Sequence, residues 1–333
     1  MAVSRVTRAL VIQDPSQVAQ ARRAGAALAS AVGLDEERAG RLSVVVTESA
    51  TNLLRHGGGG QILLRALDGD GAAAVEVLAL DRGPGMANVG RCLEDGYSTA
   101  GSAGTGLGAM RRLSSLFDLY SRQGRGTAIL SRVGAGAPPR AMVVEGLCVP
   151  APGEQVSGDA WADEPRVDGV AILVVDGLGH GPAAAAASAA ALEAFRHARW
   201  QPPARRLEAI HGAMRGTRGG AVAVADIDRT SGRVCFAGVG NVGAAVVNGD
   251  TPRWLMSHNG TLGHSVRRID EVSAPWPARG LLVMYTDGLA TPREIAAYPG
   301  LMERHPSLVA GVLWRDLARG RDDATVVVAR NAA

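Results

Sequence analysis

RLSVVVTESATNLLRHGGGG, residues 41–60, decides how the first half of the chain is read. Leu42, Val45, Val46, Ser49 and Leu53 recur at spacings of three and four, the signature of one helix face, and the run stops at His56 before four glycines. The helix starts after Asp35, and an earlier one opens at Asp14-Pro15, a capping residue followed by Pro at the first helical position, and ends near Gly33. Glu48 and Asn52 lie four apart, one turn from each other on one face. That pair can hold a general base beside a metal ligand, and it equally suits the exposed edge of an amphipathic helix.

Outward from this helix the pattern changes to period two. QILLRAL and AVEVLAL flank Asp68-Gly-Asp-Gly71 as a hairpin, and GTAILSRV closes the domain as a further strand. Between them lie Asp81-Arg-Gly83-Pro-Gly85 at a strand end and Gly104-Thr105-Gly106-Leu-Gly108, which opens the predicted helix AMRRLSSLF. In a chain with 44 glycines among 333 residues, a G-x-G-x-G pattern arises by chance about 0.7 times, so the glycines alone carry nothing. The order carries the signal: E-x-x-x-N on a helix, a strand ending in D-x-G-x-G, a loop, a glycine-rich helix start, then a strand beginning Gly126-Thr127.

This order resembles the Bergerat-fold ATPases of the GHKL group, and within it the bacterial serine kinases that act as anti-sigma factors and stressosome switch kinases. RHGGGGQI from Arg55 is most similar to the switch kinase. The resemblance implies ATP and Mg²⁺ as cofactors. Asn52 is then the Mg²⁺ ligand, Glu48 the base, and Asp81 the acceptor for the adenine amine, with Gly83 and Gly85 leaving room for the base. Backbone N–H groups of Gly104, Thr105, Gly106 and Gly108 would hold the phosphates at a helix N-terminus, where free donors and a positive partial charge meet an anion. Thr127 is a further adenine contact. A dinucleotide fingerprint is the rival reading of these glycines, but it follows a strand directly, whereas TAGSA precedes Gly104 here.

In the second half, strands near AMVVEGLCV, AILVVD, GAVAVADID, RVCFAGVG, GLLVMYTD and ATVVVAR are expected, with helices near 182–199, 203–215 and 307–319. The short turn DRTSG makes its two strands antiparallel, which favours α+β over a doubly wound sheet. Four aspartates stand at strand ends or turns: Asp159 in SGDAW, Asp176 in VVDGLGHG, Asp287 in YTDGL and Asp322 in RDDAT. Singly each reads as a turn residue. Hard oxygen donors in this number suit Mg²⁺ or Mn²⁺.

Together they resemble the PPM-type phosphatases, in particular the bacterial subgroup that dephosphorylates STAS-domain regulators. By that resemblance Asp176 bridges two Mn²⁺ or Mg²⁺ ions, the Gly177 carbonyl binds one, Asp287 and Asp322 complete the other, and Asp159 adds a ligand or holds a water. Asp323 is the alternative to Asp322. Two such ions activate a water and clamp phosphoryl oxygens for in-line displacement. Ser157 stands where the family usually has Gly, and Ala290 and Thr291 stand where a Glu is common; these departures fit the smaller feedback phosphatase of the stressosome. His180 and His258 read as structural. Gly177-Leu-Gly179-His-Gly-Pro182 is a second dinucleotide rival, which fails because Pro182 occupies a Gly position and no acidic residue ends a following strand.

The expected architecture is α+β throughout: a Bergerat α/β sandwich over residues 1–133, a linker GAGAPPR over 134–140, and an antiparallel β-sandwich flanked by helices over 141–333. All 35 basic residues are Arg, which removes Walker-type P-loops, Schiff-base enzymes and eukaryotic-type kinases at once. A net charge of +3 with scattered arginines gives a nucleic-acid surface no support. Cys92, Cys148 and Cys235 lack any paired spacing and read as reduced core thiols. No leader or membrane span is visible, so a cytoplasmic enzyme is expected. Its partner by resemblance is a phosphoserine STAS-domain protein, with a homodimer left open, and the competing reading is an ATP-dependent binding switch without turnover.

Overall fold

The computed structural model describes residues 6–67, 73–92, 106–136, 140–249, 251–292 and 297–332, and divides into two compact units, 1–139 and 140–333. Each is α+β.

The first unit runs β1 (Arg8–Ile12), α1 (Pro15–Ala31), α2 (Glu36–His56), β2 (Gly60–Leu67), β3 (Ala74–Leu80), α3 (Val89–Cys92), α4 (Gly106–Leu113), β4 (Leu116–Arg122) and β5 (Gly126–Gly134). Its antiparallel sheet has the order β1-β2-β3-β5-β4. Asp14 caps α1 in a full capping box with Gln17, and Asp35 caps α2 by accepting from the Arg38 N–H at 2.7 Å. Leu42, Val45, Val46, Ala50 and Leu53 of α2 are buried against Ile62, Leu64, Val75, Val77, Ala79 and Ile129 of the sheet. The helix expected over 109–117 is corrected: α4 stops at Leu113, and Leu116–Arg122 pairs with β5 as a strand, its Leu119 joining the core.

The second unit contains β6 (Met142–Val149), β7 (Asp159–Arg166), β8 (Gly169–Gly177), α5 (Pro182–His197), α6 (Pro203–Ala213), β9 (Gly220–Asp228), β10 (Arg233–Val239), β11 (Gly243–Asn248), β12 (Thr251–Leu255), β13 (Gly260–Thr261), β14 (Ser265–Val266), β15 (Val272–Pro275), β16 (Leu281–Tyr285), α7 (Pro306–Leu317) and β17 (Ala324–Asn331). Two five-stranded antiparallel sheets form, ordered β15-β10-β9-β8-β7 and β12-β11-β16-β17-β6.

The continuous apolar run of β8 follows from burial on both faces. Val170, Ile172 and Val174 point into the core between the sheets, with Trp161, Phe236, Met284 and Val327. Ala171, Leu173 and Val175 point the other way, against Ala187, Ala191 and Phe195 of α5 and Leu207 and Ile210 of α6. Alanine at 184, 187 and 191 lets α5 lie close to the sheet. Among the three thiols only Cys148 is buried, and burial pushes it up to about 12; Cys92 and Cys235 are half-buried, which corrects the reading of all three as core residues. No helix among the described residues is long and apolar enough to cross a membrane.

Candidate active sites

In the first unit, period two along β3 sends Val75, Val77 and Ala79 toward the helices, so Asp81, two residues on, emerges on that same side at the strand end. One Asp81 carboxylate oxygen accepts from the Gly83 N–H at 2.8 Å and the Thr127 N–H at 3.1 Å, while the Asp81 N–H donates to the Thr127 carbonyl at 2.9 Å. Thr127 is buried, and its hydroxyl lies 2.9 Å from the Ser121 hydroxyl. The glycines here are dictated by backbone approach. Gly85 has φ +69°, and a Cβ on it would lie 2.2 Å from the Arg122 carbonyl oxygen; a Cβ on Gly83 would lie 2.8 Å from that of Gly57.

Glu48 and Asn52 are half-buried along the edge of α2 that faces α4. A Cβ on Gly106 would come within 2.8 Å of Glu48 Oε2 and 3.8 Å of Asn52 Oδ1, and the Asn52 amide contacts the Met110 sulfur at 3.8 Å. The start of α4, with Gly106 and the buried Gly108, therefore sits directly on the Glu48/Asn52 pair. Gly104 and Thr105 lie outside the described residues. A carboxylate and an amide beside the start of a glycine-rich helix offer a base, a hard oxygen and backbone donors in one place, which fits a nucleotide with its cation.

In the second unit, Asp159 and Asp176 are opposite each other in the β7–β8 ladder. Each follows the register of residues that face the other sheet, Trp161 for Asp159 and Val174 for Asp176, so both carboxylates enter the sandwich from one end. From the second sheet, Thr286 lies two residues beyond Met284 and donates its hydroxyl to Asp159 Oδ2 at 2.7 Å; it also accepts from the Thr325 N–H at 2.9 Å. Asp287 follows, held by the Asn241 amide at 2.6 Å. Asp322 and Asp323 precede β17.

The two neighbouring acids differ in their surroundings. Asp323 is 3% exposed and uses both oxygens, accepting from Ala151 N–H and Gly158 N–H at 2.8 Å each. Asp322 is exposed and accepts from the Asp323 N–H at 2.9 Å. Ser157, in the unusual position, accepts from the Asp159 N–H at 3.1 Å, so the substituted hydroxyl fixes the carboxylate's own backbone. Gly177 and Gly158 are locked together: the Gly177 N–H donates to the Gly158 carbonyl at 3.1 Å, and a Cβ on Gly177 would strike that same oxygen and the Ala184 carbonyl oxygen.

Burial pushes Asp176 up to about 8, helped by the charges of Asp159, Asp287, Asp322 and Asp323; burial likewise raises Asp159 to about 7, against the Thr286 and Thr325 hydrogen bonds that lower it. Among the described residues no three His, Cys, Asp or Glu side chains close into a ready cage. The donor set, oxygen only and mutually repelling, fits Mg²⁺ or Mn²⁺. His180 and His258 are both paired, His180 Nδ1 to Glu154 at 2.7 Å and His258 Nε2 to Asp270 at 3.2 Å. Reading from sequence missed Thr286 and Asn241 as partners of Asp159 and Asp287; the Thr-Asp order at 286–287 was the available signal.

Comparison with known proteins agrees with both halves. Residues 11–132 match the histidine kinase-like ATPase domain family, and residues 166–331 match the stage II sporulation protein E (SpoIIE) family. The serine/threonine-protein kinase RsbT of Bacillus subtilis (strain 168) is 33% identical over 112 residues, which are 34% of this chain and 84% of that protein. Two solved structures share the fold. One, reported under the bacterial stressosome as a modular system adapted to control secondary messenger signaling, has TM-score 0.52 and 24% identity over 57% of this chain and 99% of that one. The other, RsbX in complex with magnesium, has TM-score 0.52 and 17% identity over 59% of this chain and 98% of that one. The two family matches and the RsbT likeness define a signalling enzyme of the protein serine/threonine phosphatase class. More particularly, the chain belongs to the family of RsbT-like GHKL serine-kinase ATPase domains, here joined to a SpoIIE-type PPM phosphatase domain.

Proposed function

We propose that the second domain hydrolyses phosphoserine on a STAS-type regulator in the cytoplasm, and that the first binds ATP and Mg²⁺ and acts on the same regulator as kinase or control element. The observation that carries the phosphatase reading is the convergence of Asp159, Asp176, Asp287 and Asp322 from four strand ends on one end of the sandwich, with Asp159 and Asp176 raised toward neutral by burial and by the charges of neighbouring aspartates.

In this reading Asp176 would serve both divalent ions, the Gly177 carbonyl would hold one of them, Asp287 and Asp322 would hold the other, and Asp159 would orient a water through the oxygen not bonded to Thr286. Asp322 is preferred over Asp323 because both Asp323 oxygens hold backbone N–H groups. The ions, when bound, lower the pKa of a water and neutralise the phosphoryl oxygens. Asn241 keeps Asp287 aimed at the site, and Thr286 ties Asp159 to the backbone of β17.

In the first domain, Glu48 takes a proton from the attacking hydroxyl, Asn52 holds Mg²⁺, and Asp81, fixed by Gly83 and Thr127, receives the adenine amine. Support comes from the placement of Gly106 against Glu48 and Asn52 and from the RsbT likeness. The test is phosphate release from an aryl phosphate and from phosphoserine STAS proteins with Mn²⁺ or Mg²⁺. Turnover in the wild type and its loss in Asp176→Ala are expected. Absence of turnover in every condition favours the binding-switch reading.

A further inference from the structure

We infer that a groove beside the carboxylate end of the second unit seats the polypeptide around the substrate's phosphoserine, with Arg218 gripping an acidic side chain next to it. This deepens the phosphatase reading above and rests on it.

The groove measures about 810 Å³ and is lined by Leu178, Ala183, Ala186, Thr217, Arg218 and His264, among others. It lies beside the carboxylate end. Leu178 and Gly179, which line it, follow Asp176 and Gly177 directly in the chain, and the Leu178 N–H donates to the carbonyl of Gly219, next to the lining residue Arg218, at 2.9 Å. Leu178 is 56% exposed, a large apolar side chain left in water two residues from a functional carboxylate.

The walls are small. Ala183 and Ala186 project little from α5, and Gly179 has no side chain; a Cβ there would lie 3.2 Å from Arg218 Nη1, which places the guanidinium over the loop just past Asp176. The Arg218 carbonyl is hydrogen-bonded by His264 Nε2 at 2.8 Å, which fixes its backbone. Among the described residues no carboxylate pairs with its guanidinium, and its side chain is exposed.

These features select an occupant. Bare Ala and Gly walls admit the backbone of an extended chain, and Leu178 offers an apolar contact. Arg218, exposed and with no carboxylate partner among the described residues, presents a planar fork that takes a carboxylate in two parallel hydrogen bonds. The occupant is thus an extended phosphoserine segment with an apolar and an acidic neighbour.

The experiment is steady-state kinetics of the full chain with Mn²⁺ on three substrates: an aryl phosphate, a phosphoserine peptide with a flanking Glu, and the same peptide with Gln. Arg218→Ala is expected to lower the ratio of Glu-peptide to aryl-phosphate kcat/KM about fivefold, the size of a favourable exposed ion pair, through KM. Arg218→Lys should restore most of the ratio, and the Gln peptide should be insensitive to both changes. Leu178→Ser should lower the ratio for both peptides. Equal losses on peptide and aryl phosphate would place Arg218 in the reaction centre and overturn the docking assignment, as would an unchanged Glu-peptide KM. No turnover of any substrate by the wild type would overturn the phosphatase reading itself.

Discussion

The two candidate sites are assembled in opposite ways. The nucleotide site of the first unit is local: Glu48 and Asn52 share one helix, Asp81 ends the central strand, and glycines fill the places where backbone meets backbone. The carboxylate site of the second unit is distributed: its acids come from residues 159, 176, 287 and 322, brought together by two sheets stacked face to face. The difference teaches that a site holding a large organic ligand needs shape, which glycine and helix ends supply, whereas a site for small hard cations needs charge density, which only a packed sandwich end can concentrate. The price is electrostatic: Asp159 and Asp176 sit far above an ordinary carboxylate until a cation joins them.

The sharpest way to break this contrast is to remove charge from the distributed site. Asp176→Asn is expected to cut metal-dependent phosphate release by more than ~100-fold, beyond the effect of losing a supporting partner alone; a variant with near wild-type turnover would show that charge density is not what the site provides. In the local site Asp81→Asn replaces a charged acceptor by a neutral one and should weaken ATP about 10-fold to 100-fold, as expected for hydrogen bonds to a charged group. Titration with a fluorescent nucleotide reads this directly.

The electrostatic difference has a pH signature. Asp159 and Asp176 bind protons more tightly folded than unfolded, so the metal-free protein gains stability from them at low pH and loses it as pH rises from about 4 toward 8. The melting temperature of chelator-treated protein should therefore fall between pH 5.5 and 8. Added Mn²⁺ should raise it more at pH 8, because the ion competes with those protons. A melting temperature flat with pH in both conditions would remove the contrast. The smallest effect is expected from Gly106→Ala. The new Cβ crowds only the flexible end of Glu48 and makes an ordinary contact with Asn52, and Ala favours the helix, so stability should change by less than ~1 kcal/mol while ATP turnover, if the domain is a kinase, drops severalfold. Gly85→Ala is the control: there the Cβ meets the Arg122 backbone at φ +69° and should cost about 1–3 kcal/mol in chemical denaturation.

Much of this was legible in the chain. The α2 pattern predicted five of the six residues of its buried face, missing Ala50, and Asp-Gly after an apolar strand singled out Asp176 and Asp287 as candidates. Less legible was Leu116–Arg122, which follows a helix and holds Leu and Phe at spacings either element accepts; edge pairing with β5 makes it a strand. Strands β1, β7, β11, β12 and β15 and the two-residue β13 and β14 were also missed, because they are short or, as in β7, mixed in polarity, and only ladder partners give them order.

Sequence by itself determined the class of each half, because helix periodicity, strand alternation and the glycines at positive φ are local and leave their mark within a few residues. Tertiary structure alone decided which of Asp322 and Asp323 is spent on the backbone, that Thr286 and Asn241 hold the carboxylates, and that Arg218 stands over Gly179 beside an open groove. Those facts depend on hydrogen bonds between residues up to 172 positions apart, and no local pattern records which distant partner a side chain will meet once two sheets have packed.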